Sequence, residues 1–166
     1  MKILDTLSAS VLRDRKPQIG IVLGSGLGAL AERIEGAEAL PYSDIPGFPV
    51  STAPGHKGRF VFGTIGDKEV VLMDGRVHLY EGYTPQQVVM PIRLMRQMGI
   101  HTVLLTNASG GIRRDLHAGD LMLLTDHISS LVPSPLRGEN DPALGVRFPD
   151  MRHVYDLSLI HISEPT

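Results

Sequence analysis

Three short segments of this 166-residue chain gather hydroxyl, guanidinium, imidazole and amide groups among small residues, and each follows or leaves a predicted strand. In open α/β sheets ligands collect beyond the carboxyl ends of strands, so the three segments outline one site. The first is Gly24-Ser25-Gly26-Leu27-Gly28, placed after the apolar run Gln18 to Leu23. Its backbone N–H groups and the Ser25 hydroxyl suit an anion, and the helix predicted over Ala29 to Ile34 adds its positive N-terminal end, so phosphate is the natural guest. Glycine turns between strand and helix also serve plain packing. With Ala29 the segment matches G-x-G-x-x-A, which raises a dinucleotide-binding reading. That reading needs an acidic residue ending a second strand about 20 residues on, where the chain has Pro41-Tyr42-Ser43-Asp44-Ile45-Pro46, read as loop.

The second segment runs from Asp74 to Tyr83. Side chains alternate in extended backbone, which puts Arg76, His78 and Tyr80 on one face. Arg76 can hold two phosphate oxygens in its planar fork, each charge-assisted bond contributing about 1.5–3 kcal/mol. His78 completes a clamp, and Tyr80 lies further along, where a sugar could stack. A solvated edge strand would show the same alternation. His56, between Gly55 and Lys57, reads by itself as a surface histidine, and no histidine spacing suggests a zinc site, so no metal is expected. The third segment, Asn107-Ala108-Ser109, offers a side-chain amide, backbone donors and a hydroxyl, with Gly110-Gly111 permitting close approach. Asn107 would equally cap the turn. Asp126-His127 reads as structural support at a strand end, and no Ser-His-Asp triad is argued.

The elements that must position these groups follow from periodicity. Ile3, Leu4, Leu7, Val11 and Leu12 predict a short amphipathic helix ending before Pro17. Arg59 to Ile65 and Lys68 to Met73 predict an antiparallel hairpin closed by Gly66-Asp67 in a type II′ turn. Thr84-Pro85-Gln86-Gln87 predicts a capped helix start, Gly99 its stop, and Val88, Ile92 and Met95 its buried stripe, with Pro91 bending it. Thr102 to Thr106 predicts a strand buried on both faces, and Leu121 to Thr125 a further strand. Residues 41 to 58, dense in Pro and Gly, predict a long surface loop. The expected class is α/β, with a mixed central β-sheet flanked by helices.

Composition excludes other classes. Apolar residues make up 42% of the chain against 20% charged, enough for a core, and a formal net charge of -2 gives no electrostatic footprint for nucleic acid or an anionic membrane surface. Without cysteine there is no thiol nucleophile and no disulfide framework. Polar residues interrupt the N-terminus too early for a signal peptide, and no apolar run approaches the roughly 18 residues of a membrane span, so a soluble, cytoplasmic protein is expected.

The order of motifs resembles the trimeric purine nucleoside phosphorylases, in the branch that also contains the methylthioadenosine phosphorylases. The matching pieces are Gly24 to Gly28, Pro54-Gly55-His56, Gly75 to Tyr83, Thr106 to Gly111, Asp126-His127-Ile128 and Arg147-Phe148-Pro149-Asp150-Met151. The resemblance runs to about Asp156. Tyr80-Glu81-Gly82-Tyr83 and Asn107-Ala108-Ser109-Gly110-Gly111 look like the purine nucleoside branch.

The resemblance implies reversible phosphorolysis. Inorganic phosphate, as co-substrate, attacks the anomeric carbon of a purine ribonucleoside of the inosine or guanosine class and releases free base and ribose 1-phosphate, with no cofactor. It further implies Ser25, His56, Arg76, His78 and the Ala108 backbone as the phosphate cradle, with Tyr80 and Asn107 toward the nucleoside. His78 and Glu81 would be catalytic, Glu81 orienting Ser25 and His78. Phe148 would be lent across a homotrimer interface to a neighbour's nucleoside site.

Methylthioadenosine phosphorylase is the near alternative. A nucleotide-cofactor-binding α/β protein, or a non-catalytic anion-binding module, is the alternative from another class. The family continues well past this chain, and that further part carries the groups that bind the purine. Residues 1–156 are therefore expected to be the N-terminal part of one nucleoside phosphorylase domain, and the 166-residue chain to have negligible activity, with strands and core surface left uncovered. Residues 157–166 read like a translated transposase sequencing adapter and are expected to be a non-native tail.

Overall fold

The computed structural model describes residues 15–52 and 57–160. The helix predicted between Ile3 and Leu12 lies outside them, as does His56. The chain divides into two compact units, one running up to Ala108 and the other beginning at Ser109.

The first unit is built on a mixed five-stranded sheet in the order β2-β3-β4-β1-β5. Strand β1, Ile19–Val22, runs parallel to both of its neighbours. Period-two alternation sorts its side chains and those of β3 (Arg59–Ile65) and β4 (Lys68–Asp74) between the two faces. Val22, Phe60, Phe62, Val71 and Met73 join one buried cluster, while Ile21, Val61, Val70 and Leu72 join the other. The hairpin of β3 and β4 forms in the expected register, with Ile65 opposite Lys68. Gly66 has φ 60 and no described non-glycine residue has positive φ, which makes the turn type II′, as read from Gly66-Asp67.

Strand β2, Glu35–Pro41, was not anticipated. It shows no apolar alternation, since only Leu40 among its residues is buried, and its ladder to β3 alone defines it. It runs antiparallel at the end of the sheet remote from β1, so the chain after the glycine turn does not supply the parallel second strand that a dinucleotide fold requires. The helix predicted after that turn is a 3-10 helix, Gly28–Arg33. Six residues offer an α-helix few hydrogen bonds to repay its nucleation, and short pieces of this kind are typically 3-10.

Helix α1, Pro85–Gln97, starts as expected, with Gln87 N–H donating to Thr84 Oγ1 at 3.3 Å and Thr84 N–H to Gln87 Oε1 at 2.9 Å. Of the predicted stripe Met95 is buried, together with Pro91 and Leu94, while Val88 and Ile92 are only half-buried. The helix lies flush on β1, where a Cβ at Gly20 would stand 2.7 Å from Met95 Sδ. Strand β5, Thr102–Leu105, pairs with β1 but is not buried on both faces: Leu104 is 48% and Leu105 67% exposed. It ends the sheet order, and only its half-buried Val103 packs on the core beside α1.

The Pro- and Gly-rich stretch after β2 is also more than surface loop. A 3-10 turn, Tyr42–Asp44, drives Tyr42 into the core with Ile45 and Phe48. The rings of Tyr42 and Phe48 pack 5.0 and 5.4 Å from that of Phe60. Residues that break regular structure here shape a packed cap over the sheet.

Among its described residues the second unit consists of turns and one four-residue helix, Leu157–Ile160, capped by Asp156 Oδ1, which accepts from Ser158 N–H at 2.9 Å. The strand predicted over Leu121 to Thr125 does not form, and Leu121 is 99% exposed. An apolar run becomes a strand only where another strand takes up its backbone hydrogen bonds, and none among the described residues does. Arg147 organises part of this unit, donating to the carbonyls of Leu136 and Gly138 at 3.1 and 2.7 Å. Among the described residues no helix is long and apolar enough to cross a membrane.

Candidate functional site

β4, β1 and β5 are adjacent and parallel, so their carboxyl ends open on one edge of the sheet. Each end releases one of the three polar segments. The threonine that ends the β5 run ties them together. Thr106 N–H and Oγ1 both donate to Val22 O, at 3.1 and 2.8 Å, while Thr106 Oγ1 accepts from Gly24 N–H at 2.9 Å. The two backbones are in direct contact there. A Cβ on Gly24 would fall 2.6 Å from Asn107 Cα and 2.7 Å from Thr106 O. Glycine is the residue that lets the first and third segments meet.

Arg76 brings in the second segment, with Nη1 donating to Thr106 O at 2.8 Å and Nε to His78 Nε2 at 3.3 Å. A ring nitrogen that accepts carries no proton, so this contact assigns the proton of a neutral His78 to Nδ1. Nδ1 lies 2.8 Å from Glu81 Oε1, which also accepts from the His78 backbone N–H at 2.8 Å. The other carboxylate oxygen of Glu81 accepts from Thr52 N–H at 2.5 Å, Thr52 Oγ1 at 2.8 Å and Ser51 Oγ at 3.3 Å. The Glu81 side chain is only 2% exposed. Burial pushes its pKa up, but the bonds from Thr52 and His78 outweigh that and hold it at about 2, so Glu81 is an anion throughout the useful pH range.

Extended backbone explains only part of the Arg76-His78-Tyr80 arrangement. The chain is extended at His78 (φ -127, ψ 157) and then enters a 3-10 turn, Leu79–Glu81. The predicted alternation therefore stops at His78. Tyr80 still meets His78, with ring centroids 4.6 Å apart and planes 17° apart, because the turn folds it back; its side chain remains 77% exposed. The turn also returns Glu81 to His78, a contact that alternation cannot produce.

Support comes from the cap and the hairpin. Tyr42 donates its hydroxyl to Gly75 O at 2.7 Å in a buried contact, fixing the backbone just before Arg76. Burial, with the Asp74 carboxylate adding to it, pushes the Tyr42 pKa far up, so the phenol stays a donor. Asp74 is buried and accepts from Arg59 Nε at 2.9 Å, and Arg59 and Lys57 both pair with Glu32. Tyr83 fastens the loop before Ser51, donating to Val50 O at 2.6 Å.

Ser25 is exposed at the rim of a shallow depression between the ends of β1 and β4, lined also by Gly24, Gly26, Gly28 and Asp74. The Gly24 N–H, read from sequence as facing an anion, is taken by Thr106. Glu81 holds His78 as expected, but its second oxygen binds Ser51 and Thr52, with no bond to Ser25. Asn107 and Ala108 are exposed at the tip of β5, with a long 3.5 Å contact from Asn107 Nδ2 to Ala108 O. Phe148 belongs to the second unit, where it is 87% exposed beside Arg147, whose Cζ lies 5.9 Å from its ring centroid. His56 lies outside the described residues. Sequence reasoning missed Tyr42, Ser51, Thr52, Arg59 and Asp74 as site supports, since no motif marks a residue whose partner is fixed only by folding. Among the described residues no group of three or more His, Asp or Glu is placed to hold a metal ion.

Residues 18–164 match the phosphorylase superfamily. The chain is 50% identical over 148 residues to purine nucleoside phosphorylase 1 of Geobacillus stearothermophilus, covering 89% of this chain and 54% of that protein. A crystal structure of purine nucleoside phosphorylase from Schistosoma mansoni in complex with acetate aligns with a TM-score of 0.85 at 40% identity, over 96% of this chain and 59% of that one. Isoform 2 from the same organism, in complex with cytosine and ribose-1-phosphate, aligns with a TM-score of 0.81 at 39% identity, over 95% and 57%. The chain spans about half the length of the curated relatives it matches.

Proposed function

The chain belongs to the phosphorylase superfamily, and from that premise we propose that its first unit supplies the phosphate and ribose side of a purine nucleoside phosphorylase site. The observation that carries this reading is Arg76, held between Thr106 O and His78 Nε2 where three parallel strands end together. A guanidinium already oriented by the fold loses little freedom when it grips an oxyanion. The ribose-1-phosphate bound to the Schistosoma mansoni isoform 2 structure supports the same ligand class.

In the reaction proposed, an oxygen of inorganic phosphate uses a lone pair to form a bond to the anomeric carbon. The carbon–nitrogen bond breaks, its electron pair leaves with the purine, and the purine takes up a proton. The products are free base and ribose 1-phosphate. Positive charge builds on the sugar as the bond breaks, and a phosphate dianion held beneath it stabilises that charge. Ser25, the donors of its turn, Arg76, His78, His56 and the Ala108 backbone are the proposed phosphate cradle, with Tyr80 and Asn107 beside the ribose. Glu81 fixes the His78 ring, and no cofactor takes part. The purine-reading groups are proposed to lie outside residues 1–156, residues 157–166 to be a non-native tail, and the working protein to be a cytoplasmic homotrimer in which Phe148 reaches a neighbour's nucleoside.

The test is a chimaera in which residues 1–156 replace the matching segment of the Geobacillus stearothermophilus enzyme, beside the 166-residue chain itself. Cleavage of inosine or guanosine by the chimaera, absolutely dependent on phosphate and yielding ribose 1-phosphate, is the expected result. The 166-residue chain should show negligible turnover. Phosphate-independent cleavage, or a folded chimaera active only on methylthioadenosine, would overturn the assignment.

A further inference from the structure

Glu81 is held from two sides at once. Oε1 faces His78, through its Nδ1 and its backbone N–H, and Oε2 faces Thr52 and Ser51, which stand on the loop before residue 53. A glutamate side chain has three rotatable bonds, so contacts to one oxygen leave the other free to swing unless something pins it. Thr52 pins it twice, through N–H at 2.5 Å and Oγ1 at 2.8 Å.

We propose that Thr52 is a positioning residue, which by gripping Oε2 of Glu81 aims Oε1 at Nδ1 of His78 and thereby leaves His78 Nε2 unprotonated toward Arg76. Thr52 acts on His78 only through Glu81. The arrangement joins the backbone at Ser51 and Thr52 to the imidazole on the far side of the carboxylate, so that one buried anion sets both. Tyr83 fastens the same loop at Val50, its hydroxyl donating to the carbonyl at 2.6 Å and accepting from the N–H at 3.2 Å. That separates loop anchoring from carboxylate positioning. The geometric claim stands on the contacts alone, while its consequence for phosphate rests on the function proposed above.

The experiment is imidazole 15N NMR on the 166-residue chain, with the His78 signals identified by their loss in His78→Gln, together with titration by inorganic phosphate. In the unaltered chain the proton is expected on Nδ1. Thr52→Val keeps the backbone contact and removes the hydroxyl, so it should shift His78 measurably toward the Nε2-protonated tautomer and weaken phosphate binding roughly tenfold, the lower end of what one lost hydrogen bond to a charged group costs. Thr52→Ser should restore both. Tyr83→Phe, which loosens the loop elsewhere, should leave the tautomer near that of the parent. An unchanged tautomer in Thr52→Val, or an equal change in Tyr83→Phe, would overturn the role. If the parent binds no phosphate while the tautomer still follows Thr52, the positioning role holds and the proposed function falls.

Discussion

Replacing Gly24 by alanine tests whether the site depends on two backbones in contact. The added Cβ would meet Asn107 Cα at 2.6 Å, Thr106 O at 2.7 Å and Asn107 N at 3.0 Å, all main-chain atoms that no side-chain rotation can clear. Gly24 does not have a positive φ, so alanine introduces no backbone strain and gains about 0.4–1 kcal/mol by stiffening the unfolded chain. Against this, forcing atoms into a packed contact costs about 1–3 kcal/mol. Parting the strands endangers the bond from Gly24 N–H to Thr106 Oγ1, worth about 1 kcal/mol. The net expectation is a loss of about 2 kcal/mol, which at a urea slope of about 1.5 kcal/mol/M lowers the midpoint by about 1.3 M with the slope unchanged. Gly26→Ala is the control. Its Cβ meets nothing within 4 Å, but φ is +83, so it should cost about 1–2 kcal/mol by backbone strain alone. Because Thr106 O also receives Arg76, Gly24→Ala should weaken phosphate binding along with stability. A Gly24→Ala chain that unfolds at the parent midpoint or above it would refute the reasoning.

Tyr42→Phe keeps the aromatic packing but leaves Gly75 O buried without its donor, so a calorimetric scan should show a loss of about 1–3 kcal/mol; an unchanged melting temperature would show that this bond contributes nothing. Glu81 titrates at about 2 in the folded chain against 4.5 for a free glutamate, so its stabilisation is complete above pH 4.5 and fades as pH falls toward 2. Urea midpoints across that window should fall less steeply in Glu81→Gln than in the parent, and parallel curves would contradict the assignment. In the chimaera, Arg76→Ala should raise the phosphate requirement roughly 10- to 100-fold while sparing nucleoside affinity, and equal losses for both substrates would remove the role.

Much of the frame was legible because its signals are local. The Gly66-Asp67 hairpin, the Thr84-Gln87 capping box and the Gly99 stop each follow from a few neighbouring residues, and each formed as read. Failures came where partners decide. The run Leu121 to Thr125 has strand composition and no ladder, whereas β2 has little strand composition and a ladder to β3 that is irregular only between Glu35 and Glu38. The stretch after Pro41 carries enough Pro and Gly to read as loop, yet Tyr42 and Phe48 bury against Phe60.

Residue types alone establish which chemical groups are available, and the order of the motifs establishes the family to which they belong. Ser25, Arg76, His78 and Asn107 were identifiable because chemistry needs those residue types near glycines that permit close approach, and Glu81 was identifiable only through the family resemblance. What the tertiary structure decided is which of those groups touch. Arg76 reaches Thr106 across 30 positions, and Glu81 binds Thr52 across 29. Pattern reading stops where the backbone changes from extended to turned, as it does just past His78. Hydrogen bonds depend on distances set to within a few tenths of an ångström between residues remote in the chain, and those distances exist only once parallel strands have brought their ends together.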